Sequence, residues 1–363
     1  MKNDFISSVW DFRQTTIRET NYITHDIFRW YGKLIPQLVS RLIEMYSEKN
    51  DLILANFAGS GTILVEANIL GRNSIGIDSN PLSILICKVK TFPIIPETEK
   101  FINELKKNFK QKNTERYPMD DADVKWFDED VYQNLMKIKN KIIEIDDEII
   151  RNYFLLALSG IVFKVSRVDS RCVNHIVLDK NKPVLNVLSE FENRIKDMNS
   201  SMRDYLKLIT NSNTQIRLGD ARKLEGIDDN SIDLIIAHPP YLGCINYSNI
   251  HKLSNKILGY DYSDIRQNDI STDSLQKYMG DMKKVFDEMK RVIKPDKYVC
   301  VVIGDNRKNG EIIPTFSYFI DYAAQIGFKL KDIFIWIMSR KAGMNVKRRG
   351  NHIDHNYILI FQK

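Results

Sequence analysis

The 363-residue chain lacks most of the signals that announce a specialised chemistry. Its four cysteines, Cys87, Cys172, Cys244 and Cys300, are widely scattered, and no two stand at metal-ligand spacing. A disulfide framework and a zinc module are thereby excluded, and a reduced, cytoplasmic protein fits best. No apolar run approaches the roughly 20 residues of a membrane-spanning helix. The first residues carry Asp4, Asp11 and Glu19 and no long apolar core, so no secretory leader is expected. Neither a Gly-Lys-Ser/Thr phosphate loop nor a full dinucleotide fingerprint is present, and there is no internal repeat or low-complexity segment. A formal net charge of +6 permits a nucleic-acid partner without requiring one.

What is present is a globular composition, 43% hydrophobic and 28% charged, long enough for one large domain or two ordinary ones. One stretch organises the rest. Ser231 to Ile236 is a short apolar run that reads as a buried parallel strand. Ala237-His238-Pro239-Pro240-Tyr241 follows, and the prolines stop the strand because they have no N–H for the ladder. The product is a stiff loop with one polar side chain before the prolines and an aromatic after them. Alone it is equally an ordinary strand-stopping turn. At the carboxyl end of a strand in an open α/β sheet, it is where a ligand binds.

A second unit points the same way. Leu52 to Phe57 reads as a strand, Ala58-Gly59-Ser60-Gly61-Thr62 as a glycine turn, and the residues to Leu70 as a helix closed by Gly71. Ser74 to Asp78 reads as a second strand ending in an acid. This is a β-α-β half in which glycines let backbone approach a ligand and the acid accepts ribose hydroxyls. An adenosyl ligand without a pyrophosphate suits it best. Just before this unit, the stretch from Thr24 to Pro36 contains His25 and Tyr31 and leads into a helix with Pro36 in its first turn. Locally it is also readable as a solvated aromatic loop.

From Glu99 to Asn213 helical patterns take over, at Phe101–Phe109, Val131–Ile145, Glu148–Val165 and Val184–Ile209. This stretch holds no catalytic constellation. Arg167, Arg171 and His175 lie in a polar turn between two of these helices, readable as solvated loop charges, with Arg167 and Arg171 the candidates for contact with a nucleic acid. The α/β pattern resumes with a strand from Thr214 to Asp220, a helix from Leu275 to Ile293 and a strand from Tyr298 to Asp305. A helix from Ile313 to Gly327 precedes two closing strands, Ile333–Met338 and Tyr357–Phe361. Between them Arg340, Lys341, Lys347, Arg348 and Arg349 form a basic loop, a solvated surface or a phosphate-binding one.

With these pieces in order the chain resembles the DNA amino-methyltransferases, enzymes that move a methyl from S-adenosyl-L-methionine to an exocyclic base nitrogen. The resemblance rests on Phe57-Ala58-Gly59-Ser60-Gly61-Thr62 and on His238-Pro239-Pro240-Tyr241, with the stretch from His25 to Pro36 similar to the family's N-terminal cofactor-lid motif. It implies an α/β fold, a Rossmann-like methyltransferase sheet with a closing antiparallel hairpin. Residues 1–98 and 214–363 become the catalytic domain and residues 99–213 a helical insertion that reads DNA. It also implies that His25, Tyr31, Phe57, Gly59, Gly61, Thr62, Asp78 and Asp220 bind the cofactor, Asp78 at the ribose and Asp220 at the adenine amino group. His238, Pro239, Pro240 and Tyr241 become the catalytic loop, with Tyr241 stacking on a flipped base.

Two departures stand out. Ala55-Asn56 replaces the family's frequent Asp-Pro, which is expected to loosen cofactor contacts on that side. His238 replaces the serine commoner in cytosine-N4 enzymes and the Asp or Asn of adenine-N6 enzymes. The sequence from Leu242 to Leu253 is closer to the Ser-Pro-Pro-Tyr subgroup, which favours cytosine N4 over adenine N6. Double-stranded DNA is the implied substrate, with a cognate restriction endonuclease and a homodimer as the partners to look for. An RNA base methyltransferase is an alternative, disfavoured because no RNA-capturing domain precedes the catalytic half. A catalytically silent DNA-binding subunit is another.

Overall fold

In the computed structural model, which describes residues 6–110, 116–169, 176–243, 247–308, 311–337 and 355–363, the apolar runs become neighbours in one sheet. Its early strands are β1 (Ile6–Asp11), β2 (Leu52–Ala55), β3 (Asn73–Asp78) and β4 (Thr214–Leu218). Next come β5 (Ile232–Ala237) and β6 (Ile293–Ile303), followed by the short pair β7 (Asn306–Lys308) and β8 (Glu311–Ile313). The last two are β9 (Lys329–Ile337) and β10 (His355–Gln362). The eight-stranded sheet runs β1-β9-β10-β6-β5-β2-β3-β4, while β7 and β8 form a separate antiparallel pair. Strands β6, β5, β2, β3 and β4 are mutually parallel, and β10 is antiparallel to both β6 and β9. From β2 the chain moves outward through β3 to β4, then returns to lay β5 on the other side of β2. The strand order therefore reverses between β2 and β5, which is where such sheets open a crevice.

The period-2 pattern decides which side chain meets which layer. Ile53 and Ala55 of β2 and Leu234 and Ile236 of β5 face the helices Pro36–Tyr46 and Thr62–Ile69. Leu54, Ile235 and Ala237 face the other way, onto Tyr278, Met282 and Phe286 of the helix Leu275–Val292. Pro36 occupies the first turn of its helix, and Gly71 takes φ +74° just past the end of the helix Thr62–Ile69.

Two of the differences from expectation lie in the sheet and have a physical reason. The stretch before Thr24, to which the sequence assigned no element, contains β1, which pairs in parallel with β9. Trp10 anchors it, stacked on Phe334 at 4.7 Å with the Arg41 guanidinium 4.1 Å over the indole. Strand β6 starts at Ile293, earlier than Tyr298, and carries Pro295 within it. Its pairing with β5 skips from Ile293 to Tyr298, so Pro295 needs no ladder hydrogen bond there, and Asp296 turns the chain at φ +60°.

The helices Thr98–Lys110, Asp121–Trp126, Glu129–Ile143, Glu148–Val165 and Val187–Leu206 occupy the stretch between β3 and β4. Their apolar faces do not close on themselves. They share one cluster with Leu82, Leu85, Ile86 and Val89 of the helix Pro81–Thr91, with Ile27, Phe28 and Trp30, and with Leu253 and Ile257 of the helix Lys252–Leu258. Among the described residues no helix is long and apolar enough to cross a membrane.

Candidate active site

The crevice between β2 and β5 continues into a cavity that is open to solvent, about 910 Å³ of empty space with the solvent at its mouth included. Its floor is the glycine turn. Gly59 and Gly61 take φ +51° and +73°, a left-handed geometry that other residues adopt only with strain. A Cβ on Gly59 would stand 3.3 Å from the Trp30 indole nitrogen, and one on Gly61 would stand 3.1 Å from the Cys87 sulfur. The turn is held from behind: Ser83 Oγ donates to the Gly59 carbonyl at 2.7 Å, and Lys90 Nζ donates to the Ser60 carbonyl at 2.6 Å. Lys90 is fully buried, and burial, with Lys33 nearby, pulls its ammonium down to about 7.

Asp78 ends β3 beside this turn. One carboxylate oxygen accepts from the Gly59 N–H at 2.8 Å and the other from the Asn80 N–H at 2.9 Å. Burial raises its pKa against these two donors. Each oxygen keeps a lone pair, so the group can still accept from a vicinal diol. Asp220, just past β4, also lines the cavity, but Arg222 grips its carboxylate, with Nε 2.9 Å from both oxygens.

The N-terminal segment supplies another wall through Trp30, Gly32, Lys33 and Leu34. His25 and Tyr31 do not line the cavity. His25 is buried behind it, with Nε2 2.7 Å from Glu66 Oε1. Glu66 also accepts from Tyr22 Oη at 2.6 Å and from Ser40 Oγ. Burial pulls the imidazole down to about 4, so it is neutral and its Nε2–H donates to the carboxylate. Tyr31 is buried under the Arg29 guanidinium, 4.9 Å from its ring centroid.

Opposite the glycine turn stands the proline loop. His238 and Pro240 line the cavity, while Pro239 and Tyr241 pack beside it. Tyr278 Oη donates to the Pro240 carbonyl at 2.8 Å and pins the loop to the helix beneath. The His238 Nε2 lies 3.1 Å from Tyr241 Oη, with the two rings edge to face. Burial alone lowers His238 to about 4, which leaves a neutral ring at physiological pH.

The fourth wall comes from a segment in which the sequence offered no candidate. Ser248, Ile265, Asn268, Asp269 and Ile270 line the cavity, and Asp269 braces the wall by accepting from the Ser248 N–H at 3.2 Å. His251, on the same segment, stacks on Trp30 at 4.4 Å, and burial takes its pKa down to about 3. Phe57, Gly59, Thr62, Asp78, Asp220, His238 and Pro240 thus share one cavity, and Gly61 shapes its floor from outside. Away from it, the Arg167 guanidinium donates to Asp128 at 3.1 Å and to the Val124 carbonyl at 3.2 Å. Arg171, His175, Arg340, Lys341, Lys347, Arg348 and Arg349 lie outside the described residues.

A nucleotide-type crevice with a ribose-suited acid on one side and a rigid proline loop on the other belongs to an α/β methyltransferase fold. Within that class the chain belongs to the DNA methylase family, whose model matches residues 1–88 and 232–363. It is 23% identical over 401 residues to the Type II methyltransferase M.MjaII of Methanocaldococcus jannaschii, covering 82% of this chain and 75% of that protein. It is 29% identical over 255 residues to the Type II methyltransferase M.MvaI of Kocuria varians, covering 61% of this chain and 54% of that protein. The chain therefore spans about three quarters of the first and half of the second. Among solved structures it is similar to a SAM-dependent methyltransferase from Methanosarcina mazei, with 11% identity, a TM-score of 0.37 and coverage of 89% of this chain and 96% of that one.

The family's cofactor is S-adenosyl-L-methionine, and the residues present fit it. The Asp78 carboxylate retains acceptor capacity at the cavity wall, and Asn56, which also lines the cavity, is buried with both amide atoms unpartnered.

Proposed function

We propose that this chain methylates the N4 amino group of cytosine at specific sites in double-stranded DNA. When bound, S-adenosyl-L-methionine supplies the methyl as a sulfonium-bound electrophile. The observation that carries the reading is His238: a neutral imidazole in the cavity wall, at the tip of a loop stiffened by two prolines and pinned by Tyr278. An exocyclic amine is a weak nucleophile because its lone pair is delocalised into the ring. A neutral histidine nitrogen and the Pro239 carbonyl are two acceptors for its two protons, which favours a pyramidal nitrogen with its lone pair free. The remaining barrier is lowered by positioning and electrostatics. The imidazole accepts the proton released once the N–C bond has formed. Tyr241, hydrogen-bonded to His238, is the stacking partner for a base turned out of the duplex.

We assign catalysis to residues 1–98 and 214–363, and DNA reading to 99–213 together with the 340–350 loop. Asp78 is assigned to the ribose, and Phe57, Gly59 and Thr62 to the neighbouring floor. The Arg222-bound carboxylate of Asp220 retains acceptor capacity for an adenine amino group. His25 and Tyr31 act as supports for the wall formed by Trp30 to Leu34. The cytosine preference rests on the similarity of the residues after Tyr241 to the Ser-Pro-Pro-Tyr subgroup. A cognate endonuclease and a homodimer are the partners to seek.

Incubating the protein with methyl-labelled cofactor and mixed-sequence duplex DNA, then separating the nucleosides, tests this reading. N4-methylcytosine is expected. N6-methyladenine overturns the choice of base, preferential labelling of RNA overturns the substrate, and absence of label from every nucleic acid overturns the enzyme reading.

A further inference from the structure

The sheet order sets out the cavity wall along one line. Strands β4, β3, β2 and β5 are successive neighbours, and Asp220, Asp78, Asn56 and His238 stand at or just past their carboxyl ends. All four residues line the cavity. With the ribose at Asp78 and the methyl acceptor at His238, Asn56 faces what lies between them. In S-adenosyl-L-methionine that is the sulfonium and its amino-acid arm.

Asn56 is 1% exposed, and among the described residues neither its Nδ2 nor its Oδ1 has a hydrogen-bond partner. A buried donor or acceptor left unpaired is costly, so an orphaned amide in a cavity wall calls for an occupant. Among the described residues of the wall, Asn56 is the side chain with a donor and an acceptor both buried and unpartnered. Asn80 has its Nδ2 unpartnered but uses Oδ1 to cap the helix that follows, accepting from the Leu82 N–H at 3.0 Å. Asp269 accepts from Ser248 and Ser271, and Asp220 is gripped by Arg222. Lys33 Nζ donates to Asn21 Oδ1 at 2.6 Å and to the His25 carbonyl at 2.8 Å. An α-amino acid is a zwitterion that presents donors on its ammonium and acceptors on its carboxylate. One carboxamide supplies the complement of both without adding net charge.

We propose that Asn56 is the residue that holds the amino-acid arm of the cofactor, Oδ1 accepting from the α-ammonium and Nδ2 donating to the α-carboxylate. This rests on the cofactor reading above and makes Asn56 a binding residue on the side where Ala55-Asn56 was expected to loosen contacts. Two ligands separate the arm from the rest: S-adenosyl-L-homocysteine carries it, and 5′-methylthioadenosine keeps the adenosine and sulfur without it. Calorimetry on the wild type, Asn56→Ala and Asn56→Leu reads the ratio of their affinities. The wild type should prefer S-adenosyl-L-homocysteine. Both variants should lose at least about tenfold in affinity for it, corresponding to about 1.4 kcal/mol, while binding methylthioadenosine within about twofold of wild type. If Asn56→Leu fails to fold, the smaller Asn56→Ala carries the test. An unchanged affinity ratio in a folded variant, or equal losses for both ligands, overturns the assignment. A wild type that binds neither ligand overturns the cofactor reading instead.

Discussion

Of the histidines singled out in the sequence, His25 and His238 are given similar electrostatics by the structure but different positions. His25 and His238 are both driven to about 4 by burial. His25, however, spends its Nε2 on Glu66, in a closed set with Tyr22 and Ser40 behind the glycine turn. His238 faces the cavity, has a tyrosine hydroxyl as its polar partner among the described residues, and sits on a loop that cannot easily yield. A perturbed pKa therefore does not distinguish a brace from a reacting group. What distinguishes them is whether the nitrogen is already engaged by a buried carboxylate or turned towards open space.

The sharpest way to break this contrast is His238→Ala. Methyl transfer should fall by about 10²–10⁴-fold, the range for a lost acid–base group. Affinity for S-adenosyl-L-homocysteine should stay at the wild-type value by calorimetry. Transfer at the wild-type rate would remove His238 from the chemistry.

Acid separates the two roles next. His25, His238 and His251 are all more basic unfolded than folded, so below pH 6.5 the unfolded chain binds the extra protons and stability falls as pH drops towards the folded values. Each should cost up to about 2 kcal/mol between pH 7 and pH 5, visible in urea midpoints. Turnover of the folded fraction should hold across this window and decline only near pH 4, where His238 gains its proton. A turnover midpoint near pH 6.5 would mean that His238 is solvated and unshifted.

His25→Ala should remove about 1.5–3 kcal/mol of stability, the worth of a hydrogen bond to a charged group, with kcat per folded molecule changed only a few-fold. A large kcat loss at full stability would move His25 into the catalytic machinery. A comparable energy is expected at Asp78→Ala, felt in binding as about 1.5–3 kcal/mol weaker S-adenosyl-L-homocysteine affinity in the folded variant, alongside some loss of stability because the Gly59 and Asn80 N–H groups lose their acceptor. Unchanged affinity would take Asp78 out of the site.

The β-α-β half and the proline loop were legible because glycine and proline leave the backbone few choices. Gly59, Gly61 and Gly71 all take positive φ, and Pro239-Pro240 end β5 where its apolar run stops. The helix Glu148–Val165 has the bounds its pattern suggested, since its apolar positions continue to both ends. Strand β1 was not legible: Ile6-Ser7-Ser8-Val9-Trp10-Asp11 does not alternate cleanly, and as an edge strand it leaves Val9 52% exposed. In the site, the stretch from His25 to Leu34 was found but its facing was not. A chain of turns has no repeat from which to read which side chain points inward, so Trp30 and Lys33 were passed over for His25 and Tyr31. Asp269 and Ser248 were missed because a polar stretch between short helices carries no mark of what it covers.

The shared apolar cluster sets a limit on transplanting the helical insertion, the proposed reader of DNA, from one such enzyme to another. Residues 99–213 look like a cassette on paper, with strands on either side, yet lifting them out would strip the cover from Leu82, Leu85, Ile86 and Val89. It would also bare Phe28 and Trp30, and Trp30 forms part of the cavity wall. A graft that exchanges only the helices inherits a mismatched seam next to the cavity wall. A chimera that is to keep both fold and activity has to carry the helix Pro81–Thr91, the turn from Ile27 to Trp30 and the helix Lys252–Leu258 along with its new reader.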